Sequence, residues 1–527
     1  MNHSSVTRSA RTVSVAVLGS RVLGLVREQV LAALFGASRE FDAFVTAFRI
    51  PNLLRDLFAE GALSAAFVTS FTQKLSADGD RPAWRLANLV LNALLVVLSL
   101  ITVAGILIAP WIVRLIAPGF GEIAGKTELT ITLTRIMFPF LLLIAVAALA
   151  MGMLNAKHRF GIPASASMMF NLGSICGGVG LAYWLDPSFG PRAMVGMAIG
   201  TLIGGAAQLL IQLPSLRAVG YRYEPILDWR DPGFRQVLKL LAPSVLGVAA
   251  VQINVFVDSW FASFFGNGAV TFLNCAFRLM QFPIGVFGVA IGVATLPMVS
   301  AYAARGDTDQ FRSTLARSIR LAFFLCIPAA CGLAVLARPI IAVLYEHGKF
   351  DAAATEQTAW CLRAFAIGLA GYAAIKVLAP TFYALGDSRT PAFVSLGSVI
   401  VHIALNYLFA IVLDLKTPGL ALSTSCCALL NFMILLGLMR RKIARVEISV
   451  LMRSLAKIAL ASAVMTAAAY GTHRLLEANR YTDMAGAILV AVVVFGALCK
   501  LLRVEEFGEL LGVLKFGSKA APPADGV

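Results

Sequence analysis

Apolar runs long enough to cross a lipid bilayer recur along this chain from one end to the other, and few folds are open to a chain so built. A helix needs about 20 apolar residues to cross the ~30 Å hydrocarbon core. About 14 such windows can be laid out, starting with 12–36 and 42–73, passing 240–265 near the middle and ending with 453–473 and 483–502. Apolar residues fill 59% of the 527 positions, and the mean hydropathy is +0.82. These values set aside the reading of several soluble domains that the length alone suggests. Backbone polar groups inside lipid have to be satisfied within their own segment, so each window is expected to be a helix. The fold class that follows is an all-α polytopic membrane protein with about 14 transmembrane helices.

The connections carry orientation. Lys and Arg number 44 against 28 Asp and Glu, a net charge of +16. With the windows placed as above, roughly 26 basic residues fall on the side of the N-terminus and about 7 on the other, the asymmetry of the positive-inside rule. Both termini are therefore expected to be cytoplasmic. The basic excess suits anionic lipids rather than nucleic acid. The polar start, MNHSSVTRSARTVSVAVLGSR, shows no apolar core followed by a cleavage site, which predicts a retained first span.

An internal repeat organises the windows. Phe35-Gly36, Phe48-Arg49 and Phe58 are echoed by Phe265-Gly266, Phe277-Arg278 and Phe287. This pairs the first two spans with the seventh and eighth and predicts two six-helix lobes of the parallel-repeat type around a central cavity. The expected division is 1–219 for the first lobe, 220–239 for a cytoplasmic linker, 240–445 for the second lobe, 446–505 for two added helices and 506–527 for a disordered tail. The linker, YRYEPILDWRDPGFRQVLK, has the Trp, Tyr and Arg content of a segment at the headgroup boundary.

Against this apolar background the first two spans carry Arg21, Arg27, Glu28, Asp42, Arg49, Arg55, Asp56 and Glu60. Each ionised group costs about 2.5–3.5 kcal/mol at midplane, and such groups mark function by default. The repeat separates packing from function, because Val251, Val257 and Val289 stand where Arg21, Arg27 and Glu60 do, while Arg278 matches Arg49 and Asp258 matches Glu28. The fold thus needs few of these charges. After Pro51, which predicts a kink at the cavity, residues Asn52, Arg55, Asp56, Ala59 and Glu60 fall on one helical stripe, and Arg21, Gly24 and Glu28 share a face of the first span. A guanidinium stays charged when desolvated and offers a planar fork that pairs two oxygens at once. Arg21, Arg27, Arg55 and Arg278 together point to a dianionic headgroup; the competing reading has each arginine locking two helices through a neighbouring acid such as Glu60.

Other candidates are weaker. Glu346 and His347, in YEHGKFD, read as a solvated outer turn, and Arg363 and Lys376 as snorkelling groups of the tenth span. Asp258 with Asn406 suggests part of a cation site, but Ala410 stands where a second oxygen ligand would help. The eight cysteines lie in apolar runs without ligand spacing and read as small core residues. No nucleotide loop, zinc motif or nucleophile-base pair is present, which leaves ATP-driven transport and hydrolysis without support and argues against an enzyme.

Several of these stretches resemble a known family. SRVLGLVRE, AFRIPNLLRDLFAEGALSAAFV, GMLNAKHRF, FRLMQFPIGVFGVAIGVATLP, FYALGDSRTP and the GLALSTS run are similar to the MurJ (MviN) lipid II flippases of the MOP exporter superfamily, over roughly residues 12 to 500. The resemblance implies a 14-span inner-membrane protein that moves the undecaprenyl-diphosphate-linked peptidoglycan precursor from the cytoplasmic to the periplasmic leaflet. It implies that Arg21, Arg27, Arg55 and Arg278 are the substrate-binding arginines of the cavity. Asp42 and Glu60 match the family's functionally sensitive acids. The last two spans would form a groove for the lipid tail. Thr69 stands where the family's second-span motif carries proline.

The expected function is thus alternating-access flipping without covalent chemistry, with Glu28, Asp42, Arg49, Asp56 and Glu60 as coupling charges. No cofactor is expected; the drive would be the membrane potential or an ion gradient. The expected partners are lipid II and membrane lipids, with cell-wall synthesis proteins as candidates and no nucleic acid. The rivals are a flippase for another prenyl-diphosphate saccharide, a cation-coupled exporter of the same superfold, and a non-transporting scaffold for wall enzymes.

Overall fold

The computed structural model describes residues 3–55, 62–443, 448–476 and 479–509, with side chains left undescribed at 3–14, 62–65, 240–251 and 448–450. Among the described residues every regular element is a helix. They fall into two compact units, Met1–Thr271 with His347–Asp351, and Phe272–Glu346 with Ala352–Val527.

The first unit holds α1 (His3–Phe35), α2 (Arg39–Arg55), α3 (Ala62–Asp78), α4 (Asp80–Ile116), α5 (Lys126–Met137), α6 (Phe140–Ala156), α7 (Gly161–Leu185), α8 (Pro191–Leu210), the short α9 (Leu213–Ala218) and α10 (Pro232–Ala262). One core of this unit joins α3, α4 and α6 through Phe67, Phe71, Leu86, Val90, Leu149 and Met153. The helices α7 and α8 meet along Gly196, Gly200 and Gly204, spaced one turn apart. A Cβ on Gly200 would lie 2.2 Å from the Cα of Gly178, so only hydrogen lets the two backbones approach.

The expected linker lies inside this unit and is pinned to α4 by two buried asparagines. The Nδ2 of Asn88 donates to the carbonyl of Arg222 at 3.0 Å, and that of Asn92 to the carbonyls of Glu224 and Ile226 at 2.8 and 2.9 Å. The hydroxyls of Tyr221 and Tyr223 donate back to the same two amides, at 2.6 and 2.9 Å. Burial, with Tyr223 and Glu224 nearby, pushes the Tyr221 phenol up to about 12. Two polar residues in an apolar span thus satisfy an extended strap whose backbone has no helix to bond to.

The second unit is built from α11 (Ala269–Pro283), which enters it at Phe272, and from α12 (Val289–Arg305), α13 (Thr308–Val335), α14 (Ala337–Tyr345), α15 (Ala352–Ala384), α16 (Arg389–Asn406), α17 (Lys416–Ile443), α18 (Ile448–Leu475) and α19 (Arg480–Leu501). A π-helical turn, Ile284–Gly288, joins α11 to α12, and another, Tyr407–Val412, follows α16. The expected span 313–343 is divided, because α13 ends at Val335 and α14 is a separate helix of 9 residues. In the motif FYALGDSRTP, Asp387 caps α16 by accepting from the Thr390 amide at 3.0 Å and forms an ion pair with Lys442 at 2.6 Å. These partners hold its carboxyl well below the usual carboxylate range.

Among the described residues 11 helical segments are long and apolar enough to cross a membrane. The three expected windows outside that set are 12–36, 42–73 and 240–265. The first carries Arg21, Arg27 and Glu28. The second is described as α2 and α3, and residues 56–61 between them lie outside the described residues. The third falls partly on side chains that are not described.

Candidate functional site

The charged helices of the first unit hold their side chains in three different ways. On α1, Arg21 is exposed, whereas Arg27 and Glu28 are buried. The Arg27 guanidinium lies over two rings, 5.0 Å from the centre of Phe170 on α7 and 5.7 Å from that of Phe48 on α2. A ring face attracts the cation through its quadrupole, worth about 2 kcal/mol or more once water is excluded. Phe48 stacks on Phe44 and packs against Phe140, and Phe140 packs against Phe170, so the platform beneath the charge is itself braced.

Arg49, half-buried near the middle of α2, donates to the Ser259 hydroxyl on α10. The carboxylates of Asp258, Asp42 and Glu28 all lie close enough to act on its charge. Asp258 is therefore part of the electrostatic setting of Arg49. One turn and a half further on, Arg55 ends the described part of α2 and is half-buried. Asp56 and Glu60 lie outside the described residues, as does Ala59, so of the stripe expected after Pro51 only Asn52 and Arg55 are described. Arg278, on α11 in the second unit, is half-buried as well.

Asp42 is held quite differently. It is 0% exposed and receives four donors. One oxygen accepts from the Lys126 ammonium and the Gly268 amide, and the other from the Thr271 amide and hydroxyl, all at 2.8 Å. An ionised carboxylate offers about four acceptor positions, so it is saturated. Lys126, also 0% exposed, places its remaining donors on the Gly266 carbonyl at 3.2 Å and the Asn267 side-chain oxygen at 3.4 Å, and lies 4.2 Å from the centre of the Phe120 ring. The pair joins the start of α2, the start of α5 and the turn between α10 and α11.

Lys126 is the residue that reading the sequence missed. It sits in GEIAGKTEL at the edge of an apolar window, where a lysine reads as a solvated loop charge. The preceding Gly125, at φ 75°, starts α5 at Lys126 and turns that side chain inward.

The segment YEHGKFD is a turn exposed at Gly348, Lys349 and Asp351, as expected, but it is also fastened to the first unit. Residues His347–Asp351 belong to the first unit, and Phe350 is fully buried. The Lys349 amide donates to the Ala33 carbonyl at 2.8 Å, and its ammonium donates to the carbonyls of Ser188 and Phe189 at 2.8 and 3.0 Å. Arg363 and Lys376 differ from each other: Arg363 is half-buried over Trp360, while Lys376 is exposed.

Comparison with known proteins bears on what this arrangement is for. The family model described as lipid II flippase MurJ matches residues 31–489. Among curated relatives, the lipid II flippase MurJ of Burkholderia cenocepacia is 37% identical, over 83% of this chain and 84% of its own length. The probable lipid II flippase MurJ of Vibrio cholerae is 38% identical, over 88% of both. A solved structure of the lipid II flippase MurJ in an inward closed conformation superposes with a TM-score of 0.77 at 25% identity, covering 95% of this chain and 99% of that one. An inward-facing multidrug resistance MATE transporter of the MOP superfamily shares the fold at 16% identity, with a TM-score of 0.65 over 82% and 94% of the two chains. A match over most of the sequence to the family model, and to relatives that are themselves covered over more than four-fifths of their length, places this chain in the MurJ family of lipid II flippases.

Proposed function

We propose that this chain carries lipid II across the bacterial inner membrane by alternating access, with Arg21, Arg27, Arg55 and Arg278 gripping the diphosphate of the headgroup. Transport of lipid II follows from membership of the family, and the protein is a transporter, not an enzyme. The assignment of the arginines is carried by one observation: Arg27 is buried among helices yet held on ring faces. Such contacts hold a permanently charged guanidinium inside an apolar bundle, a costly placement that a ligand with phosphate oxygens would account for.

Glu28 and Arg49 would balance charge beside the ligand, together with Asp56 and Glu60, and Asp42 would act through the element ends it joins. In this scheme the two lobes of six helices rock about the site, α18 and α19 guide the prenyl tail, and the Lys and Arg distribution puts both termini in the cytoplasm. An inside-negative potential favours outward movement of an anion by about 2.3 kcal/mol per charge per 100 mV, a drive that needs no nucleotide. Cell-wall synthesis proteins remain candidate partners.

The test is replacement of the native flippase in a depleted bacterium by this chain, followed by measurement of precursor exposed on the periplasmic face. The parent chain restores exposure. Arg27→Ala and Arg55→Ala abolish it at unchanged membrane abundance, and Arg27→Lys, which keeps the charge but loses the fork, restores little. A fourfold alanine variant at 21, 27, 55 and 278 that exposes precursor at the parental rate overturns the assignment.

A further inference from the structure

A cleft of about 470 Å3 opens on the surface of the second unit between α13, α15 and α18, lined by Ala334, Val335, Arg363, Ala463, Thr466, Ala467 and Tyr470. Its size falls in the range of roughly 300–1,000 Å3 typical of small-ligand sites. Apart from Arg363, Thr466 and the Tyr470 ring the lining is aliphatic.

The cleft is distinct from the contact between α18 and α19. That contact uses Met465 and Ala469 of α18 against Ala487 and Ala491 of α19. At 3.6 residues per turn the cleft residues of α18 lie roughly 150° away round the helix. The cleft therefore faces away from α19, toward a surface that in a spanning helix is bathed by lipid.

Its charge identifies the occupant. Arg363 stacks over Trp360 at 4.5 Å and reaches Glu356 at 3.5 Å, but Glu356 is also engaged by Arg338 at 3.2 Å. Arg474 lies 4.9 Å over the Tyr470 ring. Among the described residues Arg338 and Arg363 thus share the one carboxylate of Glu356, which leaves a positive charge beside an apolar slot.

Depth agrees with this. Val335 ends α13, and Tyr470 and Arg474 lie in the last turns of α18, so the cleft opens at one membrane surface. Of the 33 residues of α15, about 20 cross the hydrocarbon. That leaves about six at headgroup level before them, and Arg363 about five below, within reach for a snorkelling side chain. Trp360 and Tyr470 are half-exposed, as aromatic residues are in an interfacial belt.

We propose that this cleft is a binding site for an anionic phospholipid of the surrounding bilayer, with its phosphate at Arg363 and one acyl chain along Ala334, Ala463 and Ala467. On the orientation proposed above this is the outer leaflet. The site is separate from the arginines of α1 and α2, so failure of their assignment leaves it standing.

Trp360 supplies the probe. The full chain is reconstituted with brominated phosphatidylglycerol or brominated phosphatidylcholine at equal mole fraction, and the Trp360 signal is taken as the difference from Trp360→Phe. The anionic lipid is expected to quench about fivefold more effectively, the advantage of one basic group near a membrane surface. Arg363→Gln removes the preference and Arg363→Lys keeps most of it. Ala467→Leu, which fills the slot, lowers quenching by both lipids; these last two arms decide the matter if the glutamine variant melts early. Equal quenching by the two lipids in the parent chain overturns the proposal. So does a preference that survives Arg363→Gln, or displacement of the lipid by an equal fraction of a prenyl diphosphate, which would give the cleft to the transported lipid.

Discussion

The turn from α1 into α2 and the turn from α10 into α11 occupy matching places in the sequence repeat, and each bends at a glycine of positive φ, Gly36 at 65° and Gly266 at 82°. They are clamped by opposite means. At Gly36 the clamp is backbone: the Lys349 amide bonds the Ala33 carbonyl, and a Cβ on Gly36 would fall 2.4 Å from the Lys349 oxygen. At Gly266 the clamp is ionic: the Gly266 carbonyl, the Gly268 amide and Thr271 are gathered round the buried pair of Asp42 and Lys126, while nothing lies within 4 Å of a Cβ built on Gly266 itself. The two turns thus share a positive-φ glycine while their fastenings differ. The ionic version concentrates its stability in two side chains.

Breaking the ionic clamp from one side should give the largest effect. Asp42→Ala leaves a buried ammonium without its carboxylate, and Lys126→Met leaves the converse; loss of one partner of a buried pair costs about 3–5 kcal/mol. Both variants are expected to melt far below the parent in detergent. The double variant Asp42→Asn, Lys126→Met should recover much of the loss, because no charge is stranded and the amide oxygen still accepts from Gly268 or Thr271. Single variants within about 1 kcal/mol of the parent would mean the pair is not the fastening described here.

The two turns also show what could be read from the chain alone. Both glycines and their place in a repeat were visible, because only glycine takes positive φ without a Cβ clash and the flanking Phe residues recur with it. The apolar windows gave the helices, since span length is set by the bilayer and not by neighbours. The clamps were hidden because each is a meeting of distant segments. Lys126 lies 84 positions from Asp42, and Lys349 sits in a loop whose composition is that of a solvated turn. Asn88 and Asn92 were invisible for the same reason, as polar residues whose partners lie more than 130 positions away. Of the arginines, residue type and stripe were legible, but the ring platform under Arg27 was not, because Phe48 and Phe170 look like ordinary core.

Alanine at the glycines sharpens the contrast at an intermediate scale. At Gly36 the added methyl meets both an unfavourable φ and a backbone carbonyl that cannot swing aside, and the same holds for Gly348, whose Cβ would lie 2.2 Å from the Ala33 oxygen at φ 59°. Each should cost up to about 3 kcal/mol. Gly266→Ala meets open space and should cost only the conformational term, about 1–2 kcal/mol. Equal melting losses at Gly36 and Gly266 would show that φ alone sets the cost and that the backbone clamp adds nothing.

The smallest effect separates two lysines that use the same donors in different surroundings. Lys349 and Lys126 each bond backbone carbonyl oxygen across a turn, but Lys349 is exposed and leaves behind, in Asp186, a carboxylate that keeps the donors of Ser188 and Gly190. Its replacement by Met returns the Ser188 and Phe189 carbonyls to water and keeps the amide bond to Ala33, so the loss should stay at about 1 kcal/mol or below. Lys126→Met strands a carboxylate in a site closed to water. Thermal unfolding of the two methionine variants side by side, in the same detergent, therefore measures burial against hydrogen-bond count: Lys349→Met falling as far as Lys126→Met would mean that the number of carbonyls bonded, and not the stranded charge, determines what each turn is worth.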